Sequence, residues 1–207
     1  MISVVLMLVL VTSVVMVFTH SSEVFSISES KMEVYQNARA AFELITRELT
    51  SADNATGLSG YTTFTGFSFA NPGSVGTNLT IFQFKTNTSW SGTSGRESGT
   101  AVVEYYLKRM IKYPKLWELK RKVIPAGTSS AVVDNILAQY LPYSTSSIKI
   151  GYFEYVGSNW VYREPANHSI NVGNPLPSAI RITINFTDKL QRVTRTLSKT
   201  VWIPKGQ

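Results

Sequence analysis

The sequence predicts an α+β protein in which one long N-terminal helix, apolar in its first half and amphipathic in its second, packs on an antiparallel β-sheet. Three observations carry that reading. No glycine precedes Gly57 and no proline precedes Pro72, so nothing in the first 56 residues must break a helix. Beyond Gly57 the apolar period changes from helical to two. The strands then follow one another without β-α alternation, which argues against a doubly wound parallel sheet. With 207 residues, 43% of them apolar and 16% charged, the chain has the material for one core and does not read as disordered.

The first segment, residues 1–22, opens MISVVLMLVLVTSVVMVF, and its first formal charge comes only at Glu23. About 20 helical residues span the ~30 Å hydrocarbon layer, so this stretch is long enough to cross a membrane. Ile2, Val5, Leu6, Leu8, Val9, Val15, Val17 and Phe18 are its candidate anchoring and packing side chains. A cleaved signal peptide would need a basic leading region, a shorter apolar stretch and a small-residue cut site, whereas no Lys or Arg precedes the run and VFTHSSEVF follows it. The positive-inside rule finds no basic residue ahead of the run either; Lys31 and Arg39 lie behind it.

The second segment, residues 23–56, carries Tyr35, Ala38, Phe42, Ile45 and Leu49 in steps of three and four, a stripe suited to packing on a sheet. Arg39, Glu43 and Arg47 stand at i,i+4 spacing and suit a solvated face. The run from Thr50 to Gly57, TSADNATG, supplies a helix stop.

The third segment, residues 57–207, reads as five to seven strands. Candidates are Leu79 to Lys85, Val102 to Leu107, Ile180 to Thr187 and Leu197 to Ile203, with a hairpin of Ile148–Tyr155 and Trp160–Tyr162 across Val156–Asn159. Ala131 to Gln139 fits one or two helical turns or an edge strand. Asn87 to Thr100, NTSWSGTSGRESGT, has loop composition and is expected to be a surface excursion.

Composition disfavours catalysis. The chain has no cysteine, which excludes thiolate metal sites, iron–sulfur clusters and cysteine nucleophiles. Its two histidines, His20 and His168, have no metal-ligand spacing, and no P-loop, G-x-S-x-G, G-x-G-x-x-G or H-E-x-x-H string occurs. The expectation is therefore no catalytic residue, no metal and no cofactor. Asn-x-Ser/Thr strings begin at Asn54, Asn78, Asn87, Asn167 and Asn185 and read as polar loop or strand-face residues.

Charge gives a second clue. Of a net charge of +7, residues 108–122, KRMIKYPKLWELKRK, contribute seven bases and one acid. Lys108, Arg109, Lys112, Lys115, Lys120, Arg121 and Lys122, with Trp117 interleaved, form a candidate surface for nucleic acid or another anionic ligand. The plainer reading is a hairpin with aromatic residues turned to the core and lysines to solvent, and it is preferred because charge runs are usually solvated faces.

The residues also carry a resemblance. Tyr35 to Ala52, YQNARAAFELITRELTSA, is similar to the helix end of the larger minor type IV pilins and type II secretion pseudopilins, the W-type and J-type members. Val103–Leu107, Leu119–Arg121, Ile148–Tyr155 and Pro175–Ile182 follow the order of that group's sheet region, so the likeness covers nearly the whole chain. The basic leader, the glycine cut by a prepilin peptidase and the glutamate of the family are not present; MISVVLMLVL resembles the family's stretch just after that glutamate, as if the sequence began at an internal methionine. The resemblance implies a noncatalytic minor subunit of a type II secretion or type IV pilus filament that initiates assembly at its tip. Its partners would be other pilin or pseudopilin subunits, the bacterial inner membrane and, for a full precursor, prepilin peptidase. It would be single-pass, with the head outside the cytoplasm. The alternative is a membrane-anchored DNA-uptake protein using residues 108–122.

Overall fold

The structure is a computed structural model that describes residues 2–52, 68–69, 78–92, 95–128, 130–144, 147–156, 158–163 and 178–204. Among the described residues one helix, α1 (Ile2–Thr50), is followed by nine strands: β1 (Ser68–Phe69), β2 (Asn78–Gly92), β3 (Gly95–Arg109), β4 (Leu116–Pro125), β5 (Val133–Pro142), β6 (Ile148–Val156), β7 (Asn159–Arg163), β8 (Ala179–Thr187) and β9 (Thr194–Trp202). The α+β class holds, in a pilin-like arrangement. The strands form two antiparallel sheets where one was expected, a five-stranded sheet ordered β1-β2-β3-β4-β5 and a four-stranded sheet ordered β7-β6-β8-β9.

At 1.5 Å per residue the 49 residues of α1 make a rod of about 73 Å. Its first half stands clear of the head, and burial begins at Val34. From there Val34, Ala38, Ala41, Phe42, Ile45, Glu48 and Leu49 are buried. At 100° per residue these seven fall in an arc of about 120°, and Tyr35 lies about 20° beyond its edge. Tyr35 is accordingly 50% exposed, which corrects its assignment to the packing stripe. Ala38 and Ala41 let the helix approach the sheets closely, while Phe42 meets Phe186 of β8 edge to face at 6.2 Å.

One core joins the helix to both sheets. Phe84, Val103, Tyr105 and Leu119 come from the larger sheet and Ile150, Ile180, Ile182, Ile184 and Phe186 from the smaller. Phe82 and Phe84 stack on Tyr105 at 4.8 and 6.1 Å. Each such fully buried apolar side chain contributes roughly 1.5–3 kcal/mol relative to exposure. The alternation of Ile180, Ile182, Ile184 and Phe186 is realised as expected, with the outward Arg181 and Thr183 facing Thr200 and Ser198 of β9.

Of the stretch Ala131–Gln139, residues 133–139 lie in β5, paired with β4 at the edge of the larger sheet, which is the edge-strand alternative. One segment differs from its sequence reading. The described parts of the loop-like stretch, Asn87–Gly92 and Gly95–Thr100, form a ribbon of paired strand, with its register unbroken from Lys85↔Val102 to Gly92↔Gly95. Its polar composition serves cross-strand bonds: Thr100 Oγ1 donates to Asn87 Oδ1 (2.9 Å), Arg96 Nη2 to Ser89 Oγ (3.1 Å) and Trp90 Nε1 to Glu97 Oε2 (3.0 Å). The β6–β7 hairpin is present with Val156 opposite Asn159. The helix stop begins where expected, Ala52 N–H donating to Leu49 O; residues 53–57, His168, Asn54, Asn167 and residues 175–177 lie outside the described residues.

Candidate functional site

Three features of this fold bear on function: the free half of the helix, the joint between helix and head, and the basic segment. In the free half, Ile2, Val5, Leu6, Leu8, Val9, Val15, Val17 and Phe18 are all exposed, none less than half. Three of its hydroxyls turn inward on the helix itself. Thr12 Oγ1 donates to Leu8 O (2.7 Å), Ser13 Oγ to Val9 O (2.9 Å) and Thr19 Oγ1 to Met16 O (2.9 Å). Side-chain donors satisfied this way present no unpaired polarity to apolar surroundings. Among the described residues α1 is the one helix long and apolar enough to cross a membrane.

The joint centres on Glu48, a fully buried carboxylate that the sequence reading did not single out. Arg121 from β4 donates through Nε to both carboxylate oxygens at 3.0 Å and through Nη2 to Oε1. Thr88 of β2 donates to Oε1 at 2.6 Å, and the Tyr105 hydroxyl of β3 donates to Oε2. Three strands thus converge on one helical side chain. Burial opposes the charge on Arg121, yet the bond and the charge of Glu48 win and hold the guanidinium above its ordinary pKa. Burial first, then the neighbouring carboxylate, push the Tyr105 hydroxyl well above its ordinary pKa, so it stays a donor. Thr86 Oγ1 adds a bond to Glu48 O (2.9 Å) and meets Ser51 Oγ at 2.9 Å.

A second tie holds the other end. Arg192, in the β8–β9 turn, donates to Ser26 Oγ at 3.3 Å and Ser30 Oγ at 3.1 Å. Asp188 orients that turn by accepting from Val193 N (2.8 Å) and Arg192 Nε (3.3 Å). Burial raises the Asp188 pKa, but these bonds outweigh it and leave the carboxyl below its ordinary value. Ties at Ser26–Ser30 and at Glu48–Ser51 lie roughly 35 Å apart along the helix, so α1 and the head are bound together over that length.

The basic segment divides. Trp117 and Arg121 were expected at a ligand surface; both are buried, because Trp117, Leu119, Arg121 and Val123 alternate onto the core face of β4. This is the correction to the anionic-ligand surface, and it matches the preferred hairpin reading. Trp117 stacks on Tyr143 at 4.7 Å. On the outer face Lys120 pairs with Asp134 at 3.2 Å and Lys122 with Glu104 at 3.3 Å. Tyr106 OH also donates to Asp134, at 2.7 Å. Lys108, Arg109, Lys112 and Lys115 remain exposed, around the β3–β4 turn. Among the described residues no group of three or more His, Cys, Asp or Glu could hold a metal ion.

Sequence reasoning missed Glu48 and the role of Arg121, although the signal was available. The helical series 34, 38, 41, 45 continues onto Glu48, and the strand series 117, 119, 123 includes Arg121. Two opposite charges, each in phase with an apolar stripe, mark a buried pair.

Fold and geometry together define a class: a head of antiparallel strands clamped to the second half of a helix whose apolar first half is free. No protein-family model, curated protein or solved structure matches the chain.

Proposed function

We propose that the chain is a noncatalytic, membrane-anchored subunit of a pilin-like filament, of the minor pseudopilin or minor pilin kind, whose free apolar helix packs on the helices of other subunits. One observation carries the reading. Residues 2–18 of α1 expose a predominantly apolar surface, and the same helix continues without a break into a head held by the buried Glu48 cluster. An anchor that only tethered its domain would need no rigid joint; a subunit that transmits the head's position to a helical bundle does. In water such a surface would associate at ~25 cal/mol per Å2 buried, and in a bilayer it would be at rest. In this reading the filament stands at the bacterial inner membrane with the head outside the cytoplasm, and the subunit serves at the tip.

Isolation from host membranes tests this. The full chain, tagged at its C-terminus and extracted in mild detergent, is expected to bring down other proteins built on an N-terminal apolar helix. Recovery of the chain alone would contradict the proposal.

A further inference from the structure

We infer that the membrane-facing rim of the head, built from the β3–β4 and β8–β9 turns, docks on the anionic phospholipid headgroups of the membrane that the helix crosses. The inference rests on the membrane-anchored reading and adds a second contact to it.

The Arg192 bonds to Ser26 and Ser30 place the β8–β9 turn against the helix just beyond its apolar half. The β3–β4 turn lies beside it, because Lys189 Nζ sits 5.6 Å from the Tyr113 ring centre. Residues 2–25 cover about 36 Å of helix, so with the ~30 Å hydrocarbon layer around them Ser26 falls among the headgroups. Both turns therefore meet the lipid surface.

The chemistry of the two turns suits that position. Ile111, 94% exposed, and Leu190, 63% exposed, stand at their tips. One exposed apolar side chain is ordinary on a protein surface; here two stand on neighbouring turns, beside lysines. Around them Lys112, Lys115 and Lys189 form no salt bridge among the described residues, in contrast to Lys120 and Lys122 on the outer sheet face. Lys112 and Lys189 both lie over the Tyr113 ring, at 5.8 and 5.6 Å, which draws two cations to one place. The opposing charges nearby are Asp188, which Arg192 pairs within the same turn, and Glu33 on the helix, which acts on Lys189. Apolar tips among lysines and a tyrosine are the composition of a membrane-interface contact, and clustered lysines select the anionic lipids. A nucleic acid would share the charge but has no use for Ile111 and Leu190.

The absence of cysteine makes the test direct. Full chains carrying Ile111→Cys, Val15→Cys or Ser91→Cys are labelled with an environment-sensitive fluorophore and placed in nanodiscs of phosphatidylcholine with or without phosphatidylglycerol. Quenching by headgroup-labelled lipid is then read. At Ile111 it should rise roughly twofold or more with phosphatidylglycerol and return to the neutral-lipid level at high salt or with K112E/K115E/K189E. Ser91, on the distal β2–β3 ribbon, should stay unquenched. If Val15 is protected in the bilayer while Ile111 shows no preference for phosphatidylglycerol, the rim inference is overturned and the anchor reading stands. If Val15 lies outside the bilayer, both fail. A response of the Ile111 probe to duplex DNA but not to phosphatidylglycerol would overturn it in favour of nucleic acid.

Discussion

Replacing Glu48 by glutamine keeps the shape of the side chain and removes its charge, which isolates the clamp between helix and head. The Glu48 side chain is fully buried and that of Arg121 is 5% exposed, so neither charge can turn to water. Every group around the carboxylate is a donor: the Arg121 guanidinium and the Thr88 and Tyr105 hydroxyls. A glutamine amide offers one acceptor oxygen and turns an NH2 donor towards them. Removing one partner of such a pair costs about 3–5 kcal/mol, chiefly from the stranded cation. In a chain of this size each kcal/mol moves the melting midpoint about 2–4 °C, so Glu48→Gln should melt roughly 6–20 °C lower by circular dichroism in detergent. The double variant Glu48→Met with Arg121→Met should recover part of the loss, because it removes the stranded cation, while the Thr88 and Tyr105 hydroxyls still lose their acceptor. A Glu48→Gln stability within about 0.5 kcal/mol of the wild type would refute the clamp.

Tyr105→Phe removes a single donor from Glu48 and should cost about 1–3 kcal/mol, measured by urea unfolding. Because the Tyr105 pKa is raised in the fold, its contribution is complete below the unfolded tyrosine value of about 10 and is lost as pH rises through the folded value; the wild type should therefore show a steeper alkaline loss than Tyr105→Phe. Asp188 works in the opposite sense: its lowered pKa gives stability present above about pH 4 and lost as pH falls through the folded value, so Asp188→Asn should flatten the acid limb of the melting curve. Phe84→Ala, which empties a fully buried ring site beside Tyr105, should cost about 3–5 kcal/mol by the same unfolding assay. Arg39→Ala deletes an exposed i,i+4 partner of Glu43 and should leave the melting midpoint unchanged.

The helix was legible because its evidence is local: no glycine or proline interrupts it, and Ala38, Phe42, Ile45 and Leu49 share a face. Tyr35 was misplaced because steps of three and four fit neighbouring phases, and only the position of the sheets chooses between them. Strands with β-branched alternation, such as Ile180 to Phe186, were equally plain. The Asn87–Thr100 ribbon was not, since its pairing rests on cross-strand polar bonds and on the Trp90 ring lying over Gly99, which loop-like composition conceals. The Glu48 cluster lay hidden for a related reason. Its members stand 16 to 73 positions apart, and only tertiary packing turns a charge on a buried stripe into a satisfied one. The basic segment illustrates the same point: alternation along β4 sends Trp117 and Arg121 inward and leaves the turn lysines outside.

The central claim is that the free apolar half of α1 packs on the helices of other subunits, and cross-linking in the host's own membranes tests it most directly. Val5→Cys and Val9→Cys, each the single cysteine of its chain, would be oxidised in cells expressing partner chains with cysteines at matching helix positions. The account predicts mixed disulfides to pilin-like partners from both positions and none from Ser91→Cys on the distal ribbon. Monomer at every position, under conditions that cross-link the partners to one another, would contradict it.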